Sequence, residues 1–146
     1  AQKAKGTMTA QEILSKIVIH LRTQGKKSGR YREPDGEFVC MYLAPDGCQC
    51  AAGCLIPPED YQPEFEGASV TNDAWQHLAE FAEVFGDGPS KVAFYFAAKF
   101  SEHLELIRGL QDIHDRYQVE DWEDRFAKLA QEHALTLPEK GSISNC

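Results

Sequence analysis

The chain has 146 residues, 42 % of them hydrophobic and 26 % charged, which suits one globular domain able to bury its own core. Lys and Arg number 15 against 23 Asp and Glu, and the resulting formal charge of −8 argues against a general phosphate-backbone binder and against docking on an anionic membrane surface. The longest apolar stretch, Val92 to Ala98, is too short to cross a bilayer, and no signal-peptide pattern opens the chain.

Residues 1–8 carry no apolar pattern and are expected to form a flexible lead to a single domain over 9–138. Thr9 and Glu12 form a Thr-x-x-Glu capping box, and Ile13, Ile17 and Leu21, widened by Leu14 and Val18, make the stripe of an amphipathic helix of about four turns. Gly25 and the basic Lys26-Lys27 end it. Two turn signals follow, Pro34-Asp35-Gly36 and Pro45-Asp46-Gly47, flanking the strand formers Phe38 to Leu43. Cys48 to Ala52 are small enough for a further strand against a close neighbour. The expectation is a two- or three-stranded antiparallel β-meander over about 30–54, laid on helices.

An acidic, Pro-rich loop spans 55–70, with Pro57, Pro58 and Pro63 forbidding helix or central strand. Asp73 and Gln76 offer a second capping box, and Trp75, Leu78, Ala79, Ala82 and Phe85 a second helical stripe, broken by Gly86-Asp87-Gly88. Pro89 suits the start of a third helix, on which Val92, Phe96, Phe100, His103, Ile107, Leu110 and His114 recur at helical steps. That helix is expected to be central, with Gly109 as the place where it bends or splits. A last helix over about 120–134 carries Trp122, Phe126, Leu129 and Ala130, Pro138 closes the fold, and 139–146 read as a flexible tail. The fold class is α+β, helix-dominant, with four to five helices packed around the small meander.

Cys40 to Gly47, then Cys50-Ala51-Ala52-Gly53-Cys54-Leu55-Ile56-Pro57, carry a pattern that resembles a family of small uncharacterised proteins of tailed phages and prophages. Its "C-A-x-G-C-L-I-P" stretch is followed by an acidic residue and a Tyr, matched by Glu59, Asp60 and Tyr61, and then by an "E-G" like Glu66-Gly67. Leu110 to Asp115 and then Trp122 resemble the family's later "L-Q-x-x-H-D" and Trp, and Cys48 is an addition to the pattern. The resemblance spans roughly 9–135, is specific at 40–67 and 110–122, and implies a phage context without supplying an activity.

Five cysteines, an odd number without a secretory signal, read as reduced cytosolic thiols, and the phage resemblance implies that the compartment is the host cell cytoplasm. Four of them crowd between 40 and 54, which raises a zinc site from Cys40, Cys50, Cys54 and either Cys48 or His114. The spacing is poor, since no Cys-x₂-Cys pair occurs, and close-packed small residues explain the run as well. A thiol enzyme would use Cys54 or Cys50 as nucleophile, His114 as base and Asp115 as orienter. Neighbouring helical side chains point about 100° apart, so Asp115 is not expected to reach the His114 ring, and His114 reads as a buried, internally satisfied histidine. Carboxylate groupings (Asp112 with Asp115, and Glu120-Asp121 with Glu123-Asp124) look like solvated helix faces, and no phosphate-loop, dinucleotide or metalloprotease motif occurs. The acids are too dispersed for a DNA mimic.

Binding without chemistry is the leading expectation: a host or phage protein as partner, no direct nucleic acid, no membrane and no cofactor, with the zinc-binding or thiol-dependent enzyme as the alternative. The candidate contact surface is the acidic loop, where Glu59, Asp60 and Glu64 surround Tyr61 and Phe65. The competing reading of that loop is a connector whose aromatics turn inward.

Overall fold

The computed structural model describes residues 8–31, 36, 38–66 and 91–140. Helix dominates: α1 (Ala10–Gln24), α2 (Lys91–Phe100), α3 (Leu104–Arg116) and α4 (Trp122–Glu132), with two short strands, β1 (Gly29–Tyr31) and β2 (Phe38–Cys40). The expected second helix and its caps lie outside the described residues. Among the described residues, no helix is long and apolar enough to cross a membrane.

The capping box of α1 forms in both directions: Glu12 N–H donates to Thr9 Oγ1 at 3.1 Å and Thr9 N–H to Glu12 Oε1 at 2.9 Å. Gly25 closes the helix at φ 71°, a left-handed conformation that glycine adopts without a Cβ penalty, and its N–H donates to Leu21 O. Ile13, Leu14, Ile17, Val18 and Leu21 are fully buried. α1 packs against α3 and the 3-10 turn Gly53–Leu55, while α3, the second half of the long apolar helix expected over 92–114, packs against α1, α2 and α4 and buries Leu106, Ile107, Leu110, Gln111, Ile113 and His114.

That long helix is interrupted, and not at Gly109. It breaks after Phe100 (φ −133°, ψ 33°) into a 3-10 turn, Ser101–His103, before α3 begins. The break reorients the chain so that Phe96 and Phe100 on α2 and Leu106, Ile107 and Leu110 on α3 are all buried in one core. Gly109 instead lets α3 and α4 approach, since a Cβ there would stand 3.0 Å from Leu129 Cδ1.

β1 and β2 form an antiparallel ribbon in the register Gly29↔Cys40, Arg30↔Val39 and Tyr31↔Phe38. The second Pro-Asp-Gly turn holds a single bridge, Leu43↔Gln49, with Gly47 at φ 90° and Asp46 Oδ1 accepting Cys48 N–H. The stretch Cys48 to Ala52 does not extend the sheet as a third strand. Its donors are taken by helix side chains: Gln49 N–H by Gln24 Oε1 at 2.8 Å and Ala52 N–H by Gln111 Oε1 at 2.9 Å. Two-stranded pairing plus one bridge thus replaces the fuller meander.

Candidate functional site

The last turns of α3 place Gln111, His114 and Asp115 under the root of the β-ribbon. Leu106, Ile107, Leu110 and Ile113 are buried on the same helix, and this anchoring drives His114 to complete burial. Its ring stacks on Trp122 of α4, with centroids 5.7 Å apart and planes inclined by 28°.

Two hydrogen bonds assign the tautomer. Ser28 N–H lies 3.0 Å from Nε2, so Nε2 must carry the lone pair and accept. Nδ1 therefore holds the proton and donates it to Asp115 Oδ1 at 2.8 Å. The same carboxylate oxygen accepts from Gln111 Nε2 at 2.7 Å, and the Cys40 thiol lies within 4.8 Å of the Asp115 carboxylate. The contact between His114 and Asp115 corrects the expectation that neighbouring residues on one helix could not meet. Gln111, one turn earlier, draws the carboxylate across the helix surface to where the ring can reach it.

Ser28 completes the assembly. Its hydroxyl lies 2.8 Å from Met41 O and 2.9 Å from Cys48 O, and its carbonyl accepts Met41 N–H. Lys27 Nζ donates to Asp115 O at 3.2 Å. On α1, His20 Nε2 donates to Gln49 O at 2.9 Å, and burial pulls the pKa of His20 down.

Of the four thiol and imidazole ligands expected for zinc, Cys40 and His114 come together, with Asp115 as third member, their ligand atoms all within 4.8 Å of one another. Cys50 and Cys54 are not members of that group. Cys50 Sγ accepts Gly53 N–H at 3.3 Å and the Cys54 thiol donates to Ala51 O at 3.2 Å, the inward bonds of packed thiols. Cys48 sits on the Asp46 turn beside Lys26. A metal at His114 Nδ1 would need a second lone pair on a ring whose Nε2 already accepts Ser28 N–H, which means an imidazolate or a broken Ser28 bond. The residues do not fit a zinc ion as they stand.

The same geometry leaves the His114 ring with no nitrogen turned toward a thiol. A base needs a ring nitrogen facing the thiol, and here one nitrogen faces a backbone amide and the other a carboxylate. Burial and the Asp115 carboxylate push the Cys40 thiol up to about 12, and burial pushes Cys50 up as well. Both move away from the thiolate that attack requires.

The acidic loop is pinned to the body. Phe65 is 1 % exposed and sits in the core between Tyr61 and Tyr95, which corrects its expected role as an exposed interface anchor. Tyr61 is half-buried and donates to Glu66 Oε2 at 2.6 Å. Asp60 Oδ2 accepts from Tyr95 Oη at 2.7 Å, with Lys99 Nζ 3.8 Å away. Glu59 is exposed, and the Glu64 side chain lies outside the described structure. The inward reading of the loop is the one its aromatics follow: Phe65 gains more from the core than a 3-10 turn could offer it on the surface.

Among the described residues, the exposed aromatics lie elsewhere. Tyr31 is 74 % exposed and Phe38 38 %, paired edge-to-face across the ribbon with ring centroids 5.2 Å apart. Sequence reasoning missed them, although two aromatics in register about a Pro-Asp-Gly turn would have marked a cross-strand pair. A groove of about 300 Å³ between α1 and α4 is floored by Leu21, Val119 and Trp122. At its edge, Arg22 and Glu123 already hold each other through two bonds of 2.8 Å. Comparison with known proteins finds no matching family model, no matching curated sequence and no matching solved structure.

Proposed function

We propose that this chain is a small phage-type binding protein that occupies a host or phage protein in the host cytoplasm without performing chemistry, and that it does so through the β-ribbon. The observation that carries the reading is the Tyr31–Phe38 pair, two large aromatics held outward on a short ribbon, as interface centres commonly present them. The thiol, imidazole and carboxylate groups that an enzyme would need are engaged in holding that ribbon in place. Phage context comes from the C-A-A-G-C-L-I-P and L-Q-D-I-H-D stretches.

The test is a photo-crosslinking residue placed at Tyr31 and, separately, at Glu59, in the full chain expressed in a bacterial host. The expected result is one partner adduct from position 31, lost when Phe38→Ala is added, and none from position 59. Removing the exposed pair should change folding stability by less than about 1 kcal/mol. Equal adducts from both positions, or unfolding of Phe38→Ala, would overturn the ribbon as contact surface.

A further inference from the structure

We propose that His114 is a pH-operated latch on the β-ribbon: a proton added at Nε2 releases Ser28 and frees the root of β1 from α3. The latch stands whether or not the ribbon is the contact surface. Nδ1 already carries the ring's proton and gives it to Asp115, so the next proton can enter only at Nε2. There it turns the acceptor of Ser28 N–H into a donor facing a donor.

The surroundings decide which contact survives. On α3 itself, Asp115 accepts the Nδ1 proton at 2.8 Å and can keep accepting it when the ring is charged, as a charge-assisted bond. From the segment leading into β1, Lys27 meets the Asp115 backbone carbonyl and opposes added positive charge. From β2, the Cys40 thiol lies within 4.8 Å of the Asp115 carboxylate, and from the loop Cys50 lies near the same carboxylate. From α1, His20 stands near enough to repel a charged His114. From α4, Trp122 contributes an uncharged stacked face. The balance keeps the ring on Asp115 and breaks the bond to Ser28.

Ser28 is badly placed to move alone. Its carbonyl holds Met41 N–H and its hydroxyl lies against Met41 O and Cys48 O, so displacing it disturbs the roots of both strands. The Tyr31–Phe38 pair rides on those roots.

The experiment is a nuclear magnetic resonance titration of the full ¹⁵N-labelled chain from about pH 8 to about pH 4.5, following the His114 ring nitrogens and hydrogen exchange at Ser28 and Met41. The expected result is an Nδ1–H tautomer at the upper end, with loss of Ser28 and Met41 protection at the same midpoint as His114 protonation. The core amides of α1 should stay protected throughout. His114→Gln, whose side-chain oxygen can take the Nε2 position, should keep Ser28 protected across the whole range, and His20→Gln should leave the midpoint of ribbon release tied to His114. Ser28 protection that survives His114 protonation overturns the latch. So does release that follows His20, or release that occurs only together with unfolding of α1. Should His114→Gln fail to fold, the coincidence of midpoints in the unmodified chain decides.

Discussion

The carboxylate of Glu66 receives three donors: Tyr42 N–H at 2.9 Å on one oxygen, and Leu43 N–H at 3.0 Å with the Tyr61 hydroxyl at 2.6 Å on the other. It thereby does for the backbone after β2 what a neighbouring strand would have done. A carboxylate is the side chain that accepts on both oxygens, whereas an amide offers one acceptor and turns its other end into a donor. Glu66→Gln is therefore expected to leave a part-buried backbone N–H facing an NH₂ group and to cost about 1–3 kcal/mol in urea unfolding. Tyr61→Phe should cost less, about 0.5–1.5 kcal/mol, because it removes one neutral donor and leaves both backbone bonds in place. A smaller loss for the Glu66 variant than for the Tyr61 variant would mean that solvent replaces the carboxylate.

Two glycines show how closely the elements approach. A Cβ on Gly53 would run into the Tyr42 backbone carbonyl, which cannot retreat without dragging the chain after β2. A Cβ on Gly109 would meet the end of the Leu129 side chain at 3.0 Å, and that end can rotate away. Gly53→Ala should destabilise by more than about 2 kcal/mol. Gly109→Ala should fall within about 1 kcal/mol of zero in calorimetry, because the helix-propensity gain offsets the crowding. The boundaries of α1 were legible in Thr9, Glu12 and Gly25, since caps are local chemistry. The break at Ser101–His103 was not, because no glycine or proline marks it and it answers to where Phe100 and Leu106 must both be buried. The buried state of His114 could be read from its place on the apolar stripe of α3. Its partners could not, since Ser28 and Gln111 carry no pattern and meet it only through tertiary packing. Phe65 was ambiguous for the same reason: an aromatic amid acids has one sequence signature and two possible destinations.

For the whole molecule, titrating groups limit stability from both sides. The hydrogen bond from Arg22 holds Glu123 below the usual carboxylate range, and burial holds His20 below the usual imidazole range. In each case the unfolded chain binds the proton first, so their contributions are present above the unfolded pKa and lost as pH falls through the folded one. Cys40 acts in the opposite sense. Its pKa rises from 9.0 to about 12, so the unfolded chain loses the proton first and stability falls as pH climbs through that interval. Between those limits, the unfolding free energy of Cys40→Ala should vary less steeply with pH than that of the unmodified chain. A parallel decline in both would assign the alkaline loss to other groups. The bond between α1 and the segment after α4 has a different consequence. Gln11 and Thr136, 125 residues apart, exchange two hydrogen bonds of 2.7 and 2.9 Å, and Arg22 donates to the carbonyls of Pro138 and Glu139. On the ribosome, α1 is synthesised long before the residues that close its polar side. The nascent chain thus carries a helix with five residues destined for the core, Ile13, Leu14, Ile17, Val18 and Leu21, without its final clasp until Thr136 to Glu139 emerge, and that is an interval in which a chaperone would have an apolar stripe to hold.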